Sequence, residues 1–263
     1  MSSRPSVLTP VFHEKVWGTG DLSPWFSGSG KRIGEVWLDA GPEFPLLVKF
    51  LFTTDKLSVQ VHPDDARAAR ENSRGKTEMW HVLRAKPDAC VAVGFRHPIT
   101  PEKLQAAALS GEIEQLLNWV PVKPGDTIFV PAGTVHAIGA GLVLCEIQQR
   151  SDLTYRLYDY GRPRELHLDK ALEVADRGCH PGVRELRGDT LVECGHFRVD
   201  RLRVDGVARF TPRAGELLIA IEGAGELDGE PCRAGEARMV QDAAREIEIR
   251  GSLTLLRACP PSS

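Results

Sequence analysis

Short runs of β-branched and aromatic residues, broken by turn-forming residues, constrain the fold of this chain most strongly. Between residues 33 and 62 the runs are GEVWLDA, LLVKFLFT and LSVQVH, separated by glycine, proline and an Asp-Lys pair. Runs of roughly four to eight such residues between turn signals are typical of antiparallel strands. The pattern resumes at TEMWHVL and ACVAVGF and again from residue 120. The first half of the chain is therefore predicted to be mainly β.

Three segments interrupt the strands with helical patterns. The segment PDDARAARENSRG starts with proline and acids and predicts a short helix that ends near Gly75. Thr100 can cap a helix whose first residue is Pro101, which predicts a helical insertion around 100–119. The run LHLDKALEVADR, around 166–177, predicts a connecting helix.

Strand-like runs return after residue 178 at close spacing, with glycine-rich turns. The runs are FRVDRLRV, ELLIAIEGAGELDG, ARMVQ and EIEIRGSLTLLRA. With 263 residues and 42% hydrophobic side chains, the chain can form one large core or two smaller ones. We predict a first unit over 1–165, a helix and linker over 166–185, and a smaller β unit over 186–263 that covers the first.

Charge and cysteine content exclude several classes of protein. The formal charge is -3 with both signs interspersed, so no broad positive field attracts nucleic acid or an anionic membrane. The six cysteines are scattered without a CxxC pair, which argues against a disulfide framework and a zinc ribbon. No uncharged apolar stretch approaches the roughly 20 residues of a membrane helix. We expect a soluble cytoplasmic monomer or homodimer in which any phosphate site is local.

Two polar residues alternate with valines in the run Val59-Gln60-Val61-His62. Residues two apart on a strand point to the same face, so Gln60 and His62 are expected to project together into a barrel. An inward-pointing polar pair is costly unless something binds it. The alternative is a hydrogen-bonded pair at the mouth of a barrel that holds no ligand.

A second motif runs from Gly125 to His136 and reads Gly, five residues, Pro, one residue, Gly, two residues, His. It resembles the second motif of the cupins without a gap. The first cupin motif is altered, because Gln60-x-His62 stands where His-x-His is usual and no glutamate follows within a few residues. The glutamate candidate is Glu78 in GKTEMW, sixteen residues after His62.

The segments QVHPDD, GKTEMW, PAGTVHAIG and SDLTYRLYDYGR together resemble the type I mannose-6-phosphate isomerases in their short bacterial form. The resemblance is strong over roughly residues 8–160 and extends to the carboxy-terminal half in architecture alone. It implies a cupin jelly-roll barrel with a helical insertion, followed by a degenerate cupin-like β unit. It also implies one divalent cation, zinc by preference, held by Gln60, His62, Glu78 and His136.

The same resemblance implies which residues meet the substrate. Ser58, Lys76 and Arg156 fall on positions that bind phosphate, and Glu146 and Arg156 have the family's separation around a Ser-Asp pair. Arg156 is expected to polarise the substrate or to help proton transfer. Glu146 or Lys76 is expected to act on the carbon-bound proton, and a surface salt bridge is the alternative for Lys76.

The donor set and the reaction are chemically matched. Two imidazoles, a carboxylate and an amide oxygen suit Zn²⁺ and also accept Co²⁺, Ni²⁺ or Mn²⁺. An open zinc site keeps a position for a sugar oxygen. Converting an aldose 6-phosphate to a ketose 6-phosphate moves a proton between C1 and C2 through an enediol, which needs an electrophile and an acid/base group. The predicted activity is the interconversion of D-mannose 6-phosphate and D-fructose 6-phosphate.

Three alternatives stay open at this point. A sensor could bind the sugar phosphate without turnover, although the intact catalytic candidates argue against it. The substrate could be another hexose 6-phosphate, since residue spacing does not encode stereochemistry. An iron-dependent cupin oxygenase would use three histidines, and Gln60 replaces one of them.

His81, His97 and His167 are predicted not to bind the metal, and the carboxy-terminal half is predicted to be metal-free.

Overall fold

The computed structural model of the chain describes residues 4–28, 30–185, 188–241 and 246–261. Its strands, in chain order, are β1 (Ser6–Val7), β2 (Pro10–Thr19), β3 (Ile33–Leu38), β4 (Leu46–Phe52), β5 (Val59–Val61), β6 (Glu78–Ala85), β7 (Cys90–Phe95), β8 (Leu117–Pro121), β9 (Thr127–Val130), β10 (His136–Ile138), β11 (Leu142–Gln149), β12 (Tyr155–Tyr158), β13 (Thr190–Glu193), β14 (Arg198–Phe210), β15 (Glu216–Leu227), β16 (Glu230–Arg233), β17 (Ala237–Val240) and β18 (Ile247–Cys259). The α-helices are α1 (Asp65–Ala68), α2 (Pro101–Ser110), α3 (Ile113–Leu116) and α4 (Leu168–Val174). The predicted mainly β fold is confirmed. The predicted start of the second unit, at residue 186, lies outside the described residues.

Two antiparallel sheets of the first half face each other and enclose a barrel. One has the strand order β2-β3-β4-β11-β6-β9, and the other has the order β12-β5-β10-β7-β8. Apolar residues from both sheets, among them Leu51, Trp80, Val91 and Ile138, pack together in the interior. This arrangement is the cupin-like barrel that the family resemblance implies.

Helices cover the outer face of the five-stranded sheet. Val59 and Val61 of β5 pack against Leu104 and Ala107 of α2, and Ala171 of α4 joins the same cluster. Burying apolar side chains on this face leaves the alternate residues of β5 to face the barrel interior. The helices therefore help to fix which side chains point inward.

The predicted helical insertion is confirmed at its start and wrong at its end. The Thr100 side chain accepts a hydrogen bond from Lys103 N at 3.2 Å, as expected of a cap. Gly111, with φ of 83°, ends α2 in the left-handed region. Residues 117–119 were expected to be helical but belong to β8, which pairs with β7. Aromatic and β-branched residues such as Trp119 favour that pairing over a longer helix.

The other two predicted helices are present with narrower bounds. Helix α1 begins after Asp64, whose side chain caps its first turn, and the 3₁₀ turn Ala69–Glu71 extends it. Asn72, with φ of 54°, ends this segment before the expected end near Gly75. Helix α4 is shorter than the predicted span 166–177.

The third sheet has the order β1-β17-β15-β18-β14-β13, with β16 paired to β15. It packs on the outer face of the six-stranded sheet, where Phe50 and Cys145 meet Phe197, Leu217 and Leu256. The expectation that the carboxy-terminal strands cover the first barrel is therefore confirmed. A second cluster of apolar residues lies within this sheet itself.

The first strand of the chain belongs to the third sheet. Ser6 of β1 pairs with Met239 of β17, although the intervening chain forms the whole barrel. Trp25 makes a second contact between the amino-terminal segment and the third sheet, because its Nε1 donates a hydrogen bond of 2.7 Å to the Ile221 carbonyl of β15. The division of the chain at residues 165 and 186 stays a prediction, and it leaves out this contribution of the amino-terminal residues to the carboxy-terminal sheet.

Two further observations concern membrane-spanning helices and cysteines. Among the described helices, none is long and apolar enough to cross a membrane. All six cysteines lie within the described ranges and are free thiols, as their scattered spacing predicted.

Candidate metal centre and substrate cavity

Strand β5 carries the first polar pair into the barrel. Val59 and Val61 pack outward on the helices, and Gln60 and His62 alternate with them. The imidazole of His62 is 1% exposed, and Gln60 lines the cavity described below. The inward projection predicted from the alternation is confirmed.

The second motif brings His136 beside this pair. His136 opens β10 and is the register partner of Gln60 on the neighbouring strand. The turn before it needs Gly133, which has φ of 89° and whose N–H donates a 2.8 Å hydrogen bond to the His62 carbonyl. A glycine tolerates this left-handed backbone, so the motif joins the two histidine segments directly.

Glu78, the first residue of β6, lies between the two imidazoles. Its Oε2 is 3.6 Å from His62 Nε2, and its Oε1 is 3.5 Å from His136 Nε2. One ligand atom from each of these residues lies within 4.8 Å of the other two. Gln60 Nε2 lies 3.3 Å from His136 Nε2, and turning the amide by half a rotation presents its oxygen there instead. The structure thus brings the four predicted ligand candidates together.

Backbone carbonyls set the tautomer of both histidines. His62 Nδ1 is 2.9 Å from the Leu153 carbonyl, and His136 Nδ1 is 2.9 Å from the Thr134 carbonyl, so each Nδ1 is assigned as the donor. Burial lowers the pKa of His62 well below its ordinary value and lowers the pKa of His136 to about 4. Both rings are therefore neutral near pH 7, and each Nε2 carries a lone pair that can bind a cation.

The carboxylate of Glu78 fits a cation. Its Oε2 is buried and has no hydrogen bond of good geometry among the described residues, although Lys76 Nζ lies 2.9 Å away. A buried carboxylate oxygen without such a bond is rare unless a metal or another partner completes it. Two neutral imidazoles with fixed tautomers supply the nitrogen donors that a divalent transition metal requires.

Lys76 belongs to the same buried cluster. Besides contacting Glu78, its Nζ lies 3.0 Å from His62 Nε2, and its side chain is 5% exposed. Burial alone lowers the pKa of Lys76, but the carboxylates of Glu78 and Glu146 outweigh burial and raise it. Lys76 is therefore a buried ammonium in the cavity wall, which excludes the surface salt bridge.

Glu146 and Lys49 face each other on neighbouring strands of the six-stranded sheet, which is the inner sheet because it lies between the other two. Glu146 of β11 is the register partner of Lys49 of β4, and their charged atoms are 3.6 Å apart. Trp80 Nε1 donates a 3.1 Å hydrogen bond to the other oxygen of Glu146. Burial and the nearby Glu78 carboxylate raise the pKa of Glu146, against the opposing effect of Lys76 and Lys49.

Sequence reasoning missed Lys49, and the signal for it was present. Lys49 interrupts the run LLVKFLF, in which every residue is buried. A lysine is almost never fully buried unless it is paired, so its position in an apolar strand indicates an inner polar site. Sequence reasoning also missed Glu35, a half-buried carboxylate in β3 that accepts a hydrogen bond from Trp37 Nε1 at 2.7 Å and is 3.1 Å from Lys15 Nζ.

The two remaining predicted substrate residues also line the cavity. Ser58, just before β5, donates a 3.1 Å hydrogen bond from Oγ to Gln60 Oε1. Arg156 of β12 is the register partner of Gln60 on the side away from His136. Its Nη1 donates to the Glu165 carbonyl at 2.9 Å, and its buried Nε has no partner among the described residues. Burial and the neighbouring Arg164 lower the pKa of Arg156.

These side chains border one cavity of about 230 Å³. Its charged lining residues are the basic Lys15, Lys49, Lys76, Arg156 and Arg164 and the acidic Glu35, Glu78, Glu146 and Asp152. Five positive groups against four negative ones, before any cation is added, suit an anionic ligand more than a cationic one. Apolar walls come from residues such as Trp17 and Ile138.

The other histidines of the first half lie apart from the cluster. His81 is on β6 but faces away from Glu78, and its Nδ1 is 2.9 Å from Thr127 Oγ1. His97 is exposed, and His167 precedes α4, where its Nδ1 accepts a 3.2 Å hydrogen bond from the Arg156 N–H. The cluster of ligand atoms contains His62 and His136 but none of these three.

Among known proteins, mannose-6-phosphate isomerases are similar to this chain over nearly its whole length. Mannose-6-phosphate isomerase ManA of Bacillus subtilis is 35% identical, with 95% of this chain and 97% of that protein covered. Mannose-6-phosphate isomerase of Streptococcus mutans is 35% identical over 97% of this chain and 98% of that protein. No family model matches the chain.

Solved structures give the same result. The crystal structure of the mannose 6-phosphate isomerase from Bacillus subtilis superposes with a TM-score of 0.88 at 31% identity, covering 98% of this chain and 100% of that one. A putative mannosephosphate isomerase from Archaeoglobus fulgidus, 20% identical with a TM-score of 0.80, shares the fold. On the strength of the identity and coverage of its relatives, this chain belongs to the mannose-6-phosphate isomerase family.

Proposed function

We propose that this chain is a mannose-6-phosphate isomerase that interconverts D-mannose 6-phosphate and D-fructose 6-phosphate. The observation that carries the proposal is the convergence of two buried neutral imidazoles on the Glu78 carboxylate and the Gln60 amide, both of which border a cavity with more positive than negative groups. The activity named for the relatives supports it. Cavities that combine a polar cluster with perturbed pKa values are typical of active sites.

We propose a single divalent cation, zinc by preference, as the cofactor, held by Gln60, His62, Glu78 and His136. The buried Glu78 Oε2, which has an ion-pair contact with Lys76 but no hydrogen bond of good geometry among the described residues, and the two histidines with fixed tautomers support this assignment. When bound, such a cation supplies Lewis acidity toward a hydroxyl or carbonyl oxygen of the open-chain sugar. Other divalent transition metals suit the same donors.

Glu146 is the proposed group that carries the proton between the carbons. The C2 proton of the aldose passes to its carboxylate and returns to C1, while a proton moves from the C2 hydroxyl to the C1 oxygen. Its raised pKa brings a carboxylate closer to the working range of a general base. Lys49, 3.6 Å away, and the Trp80 indole hold it in place.

Lys76, Arg156 and Ser58 are the proposed substrate-binding residues. Lys76 already contacts Glu78 and His62, so it acts as a fixed cation toward a sugar oxygen rather than as the base. Arg156 has an unpartnered Nε at the cavity wall and can bind or polarise the substrate. Ser58 orients the Gln60 amide through its hydroxyl, which accepts from the amide nitrogen when the amide is turned to present its oxygen to the cation.

The test is a coupled assay with mannose 6-phosphate on the purified chain, before and after chelation, together with elemental analysis. Turnover that disappears on chelation and returns with one equivalent of a divalent metal supports the proposal. Binding of mannose 6-phosphate without turnover in the metal-loaded chain indicates a sensor and contradicts it. Oxygen consumption by an iron-loaded chain indicates an oxygenase instead, and a panel of hexose 6-phosphates identifies the preferred sugar.

A further inference from the structure

The loop that follows β12 carries two arginines that share one buried carboxylate. Asp159 is 2% exposed and accepts two hydrogen bonds from Arg164, from Nε at 2.5 Å and from Nη2 at 2.8 Å. It also accepts one from Arg162 Nη1 at 3.1 Å. A bidentate guanidinium–carboxylate pair of this kind fixes the plane of the guanidinium as well as its position.

The two arginines differ in the other groups that their guanidinium donors contact. Arg162 Nη2 donates to Asp55 Oδ2 at 2.6 Å and to the Lys56 carbonyl at 2.9 Å, so this nitrogen is already bonded within the protein. Arg164 uses Nε and Nη2 on Asp159, and Nη1 carries two further donors. Arg164 lines the cavity, whereas Arg162 does not border it.

Arg156 stands on the same wall of the cavity. Its Nη1 donates to the carbonyl of Glu165, the residue next to Arg164, which ties the two guanidinium-bearing segments together. The described part of the chain gives Arg156 no carboxylate partner, and its buried Nε is unbonded. Two guanidiniums with unused donors on one wall suit a dianion with several acceptor oxygens.

The position of this wall matches the shape of a sugar phosphate. In the five-stranded sheet the register row runs from Arg156 through Gln60 to His136. Two strand spacings of about 4.8 Å separate the ends of the row by roughly 10 Å at the backbone. A substrate whose reacting carbons lie at the histidine end therefore extends its far end toward Arg156 and Arg164.

We propose that Arg164, oriented by the buried Asp159, binds the 6-phosphate of the substrate together with Arg156 and so selects phosphorylated sugars. This proposal rests on the proposed isomerase function. Arg164 is a substrate-binding residue in this account, and Asp159 is a positioning residue that acts through it.

The test compares Arg164→Gln with Arg162→Gln, because each loses a bond to Asp159 but only Arg164 borders the cavity. We expect Arg164→Gln to raise KM for mannose 6-phosphate and the inhibition constant of inorganic phosphate by about tenfold or more, equivalent to about 1.4 kcal/mol, with kcat little changed. Arg162→Gln should leave both constants within about twofold, as expected of a substitution outside the site. Equal changes in both variants, or none in Arg164→Gln, would overturn the proposal.

A second measurement keeps the test independent of turnover. Calorimetric titration should show that the wild-type chain binds mannose 6-phosphate more tightly than mannose, and that Arg164→Gln loses most of this preference. If the wild-type chain prefers mannose 6-phosphate to mannose but shows no turnover, the isomerase function alone is contradicted. If Arg164→Gln keeps the same binding preference as the wild type, the role of Arg164 is contradicted. If Arg164→Gln does not fold, Arg164→Lys keeps a cation beside Asp159 but loses the bidentate fork, and a KM unchanged by that variant overturns the proposal.

Discussion

At the scale of single residues, the barrel interior holds two kinds of buried ionisable group with different tasks. The histidines of the cluster are neutral, with carbonyl partners on Nδ1, which leaves the lone pair of each Nε2 able to bind a cation. The inner sheet instead pairs opposite charges, as between Glu146 and Lys49. A removed partner in such a buried pair leaves an uncompensated charge, so these positions are sensitive to substitution.

Glu146→Gln tests the proton-carrying role. The amide keeps the size and the Trp80 contact but cannot accept the carbon-bound proton. We expect kcat to fall by about 10²–10⁴-fold with a small change in KM. In the wild type, kcat/KM should decline as the pH falls through the raised pKa of this carboxyl, above the ordinary range of glutamate. A variant with full turnover contradicts the assignment.

His136→Ala tests the metal centre against a matched control. Its imidazole is replaced by a methyl group, which removes one nitrogen donor, and the purified variant should contain much less metal than the wild type. His81→Ala removes an equally buried histidine from the opposite face of β6 and should retain its metal. Elemental analysis measures the metal content of both variants, and equal metal contents in the two would contradict the proposed metal site.

Individual residues differed in how far the sequence could predict them. Gln60 and His62 could be placed on one face because strand alternation is a local property. Glu78 required the family resemblance, since its distance to the histidines depends on which strands become neighbours. Lys49 lies in a long apolar run that indicates a buried strand, and the partners that a buried lysine requires come from other strands, which the run itself does not encode.

At the scale of elements, strands β4 and β5 each carry polar site residues on one face and packing residues on the other. In β4 the residues that alternate with Lys49 pack under the third sheet, and in β5 the valines pack under the helices. Both layers outside the barrel therefore hold the inner side chains in register. Helix α2 contributes to this through an apolar face that contains Leu104.

Leu104→Ala and Leu109→Ala test the packing of α2. Leu104 is fully buried against the five-stranded sheet, whereas Leu109 on the same helix is 67% exposed. Leu104→Ala should lower the free energy of unfolding by about 2–5 kcal/mol because it leaves a cavity. Leu109→Ala should change it by less than about 0.5 kcal/mol. Denaturant unfolding measures both, and similar losses would contradict the packing described.

The elements themselves were largely predictable, and their ends were less so. Thr100 and Pro101 are local signals, so the start of α2 could be predicted from the sequence. The strand at residues 117–119 forms because β7 offers a partner, which no local pattern encodes. The same holds for β1, whose partner β17 lies at the other end of the chain.

At the scale of the whole molecule, the third sheet and the barrel share one core. Phe50 of β4 and Leu256 of β18 lie in a single apolar cluster, so the two halves are expected to unfold together. The covering of the barrel could be predicted from the second set of strand runs. The crossing of the amino-terminal strand into the carboxy-terminal sheet could not, because it depends on a long-range pairing.

His81 lies where the two halves meet and makes their stability depend on pH. Burial, and then the charges of Arg201 and Arg203 on β14, lower its pKa from 6.5 to about 4. Between these values the unfolded chain binds a proton that the folded chain does not, so acidification lowers the free energy of unfolding by up to about 3 kcal/mol.

Comparing His81→Gln with the wild type isolates this effect. The variant should lose less stability between pH 6.5 and pH 4 than the wild type does, as measured by unfolding at several pH values. His97→Gln, at an exposed position, is the control and should follow the wild type. Parallel pH curves for His81→Gln and the wild type would show that His81 is not responsible.

The proposed function depends on four side chains of the barrel that together hold one catalytic cation. Anomalous X-ray scattering from crystals of the metal-loaded chain, recorded on both sides of the absorption edge of the bound metal, tests it most directly. We expect one peak per chain, beside Glu78 and Gln60 and about 2.0–2.1 Å from Nε2 of His62 and of His136 if the metal is zinc. A peak at another position, with these side chains unbound in a chain whose turnover requires the metal, would contradict it.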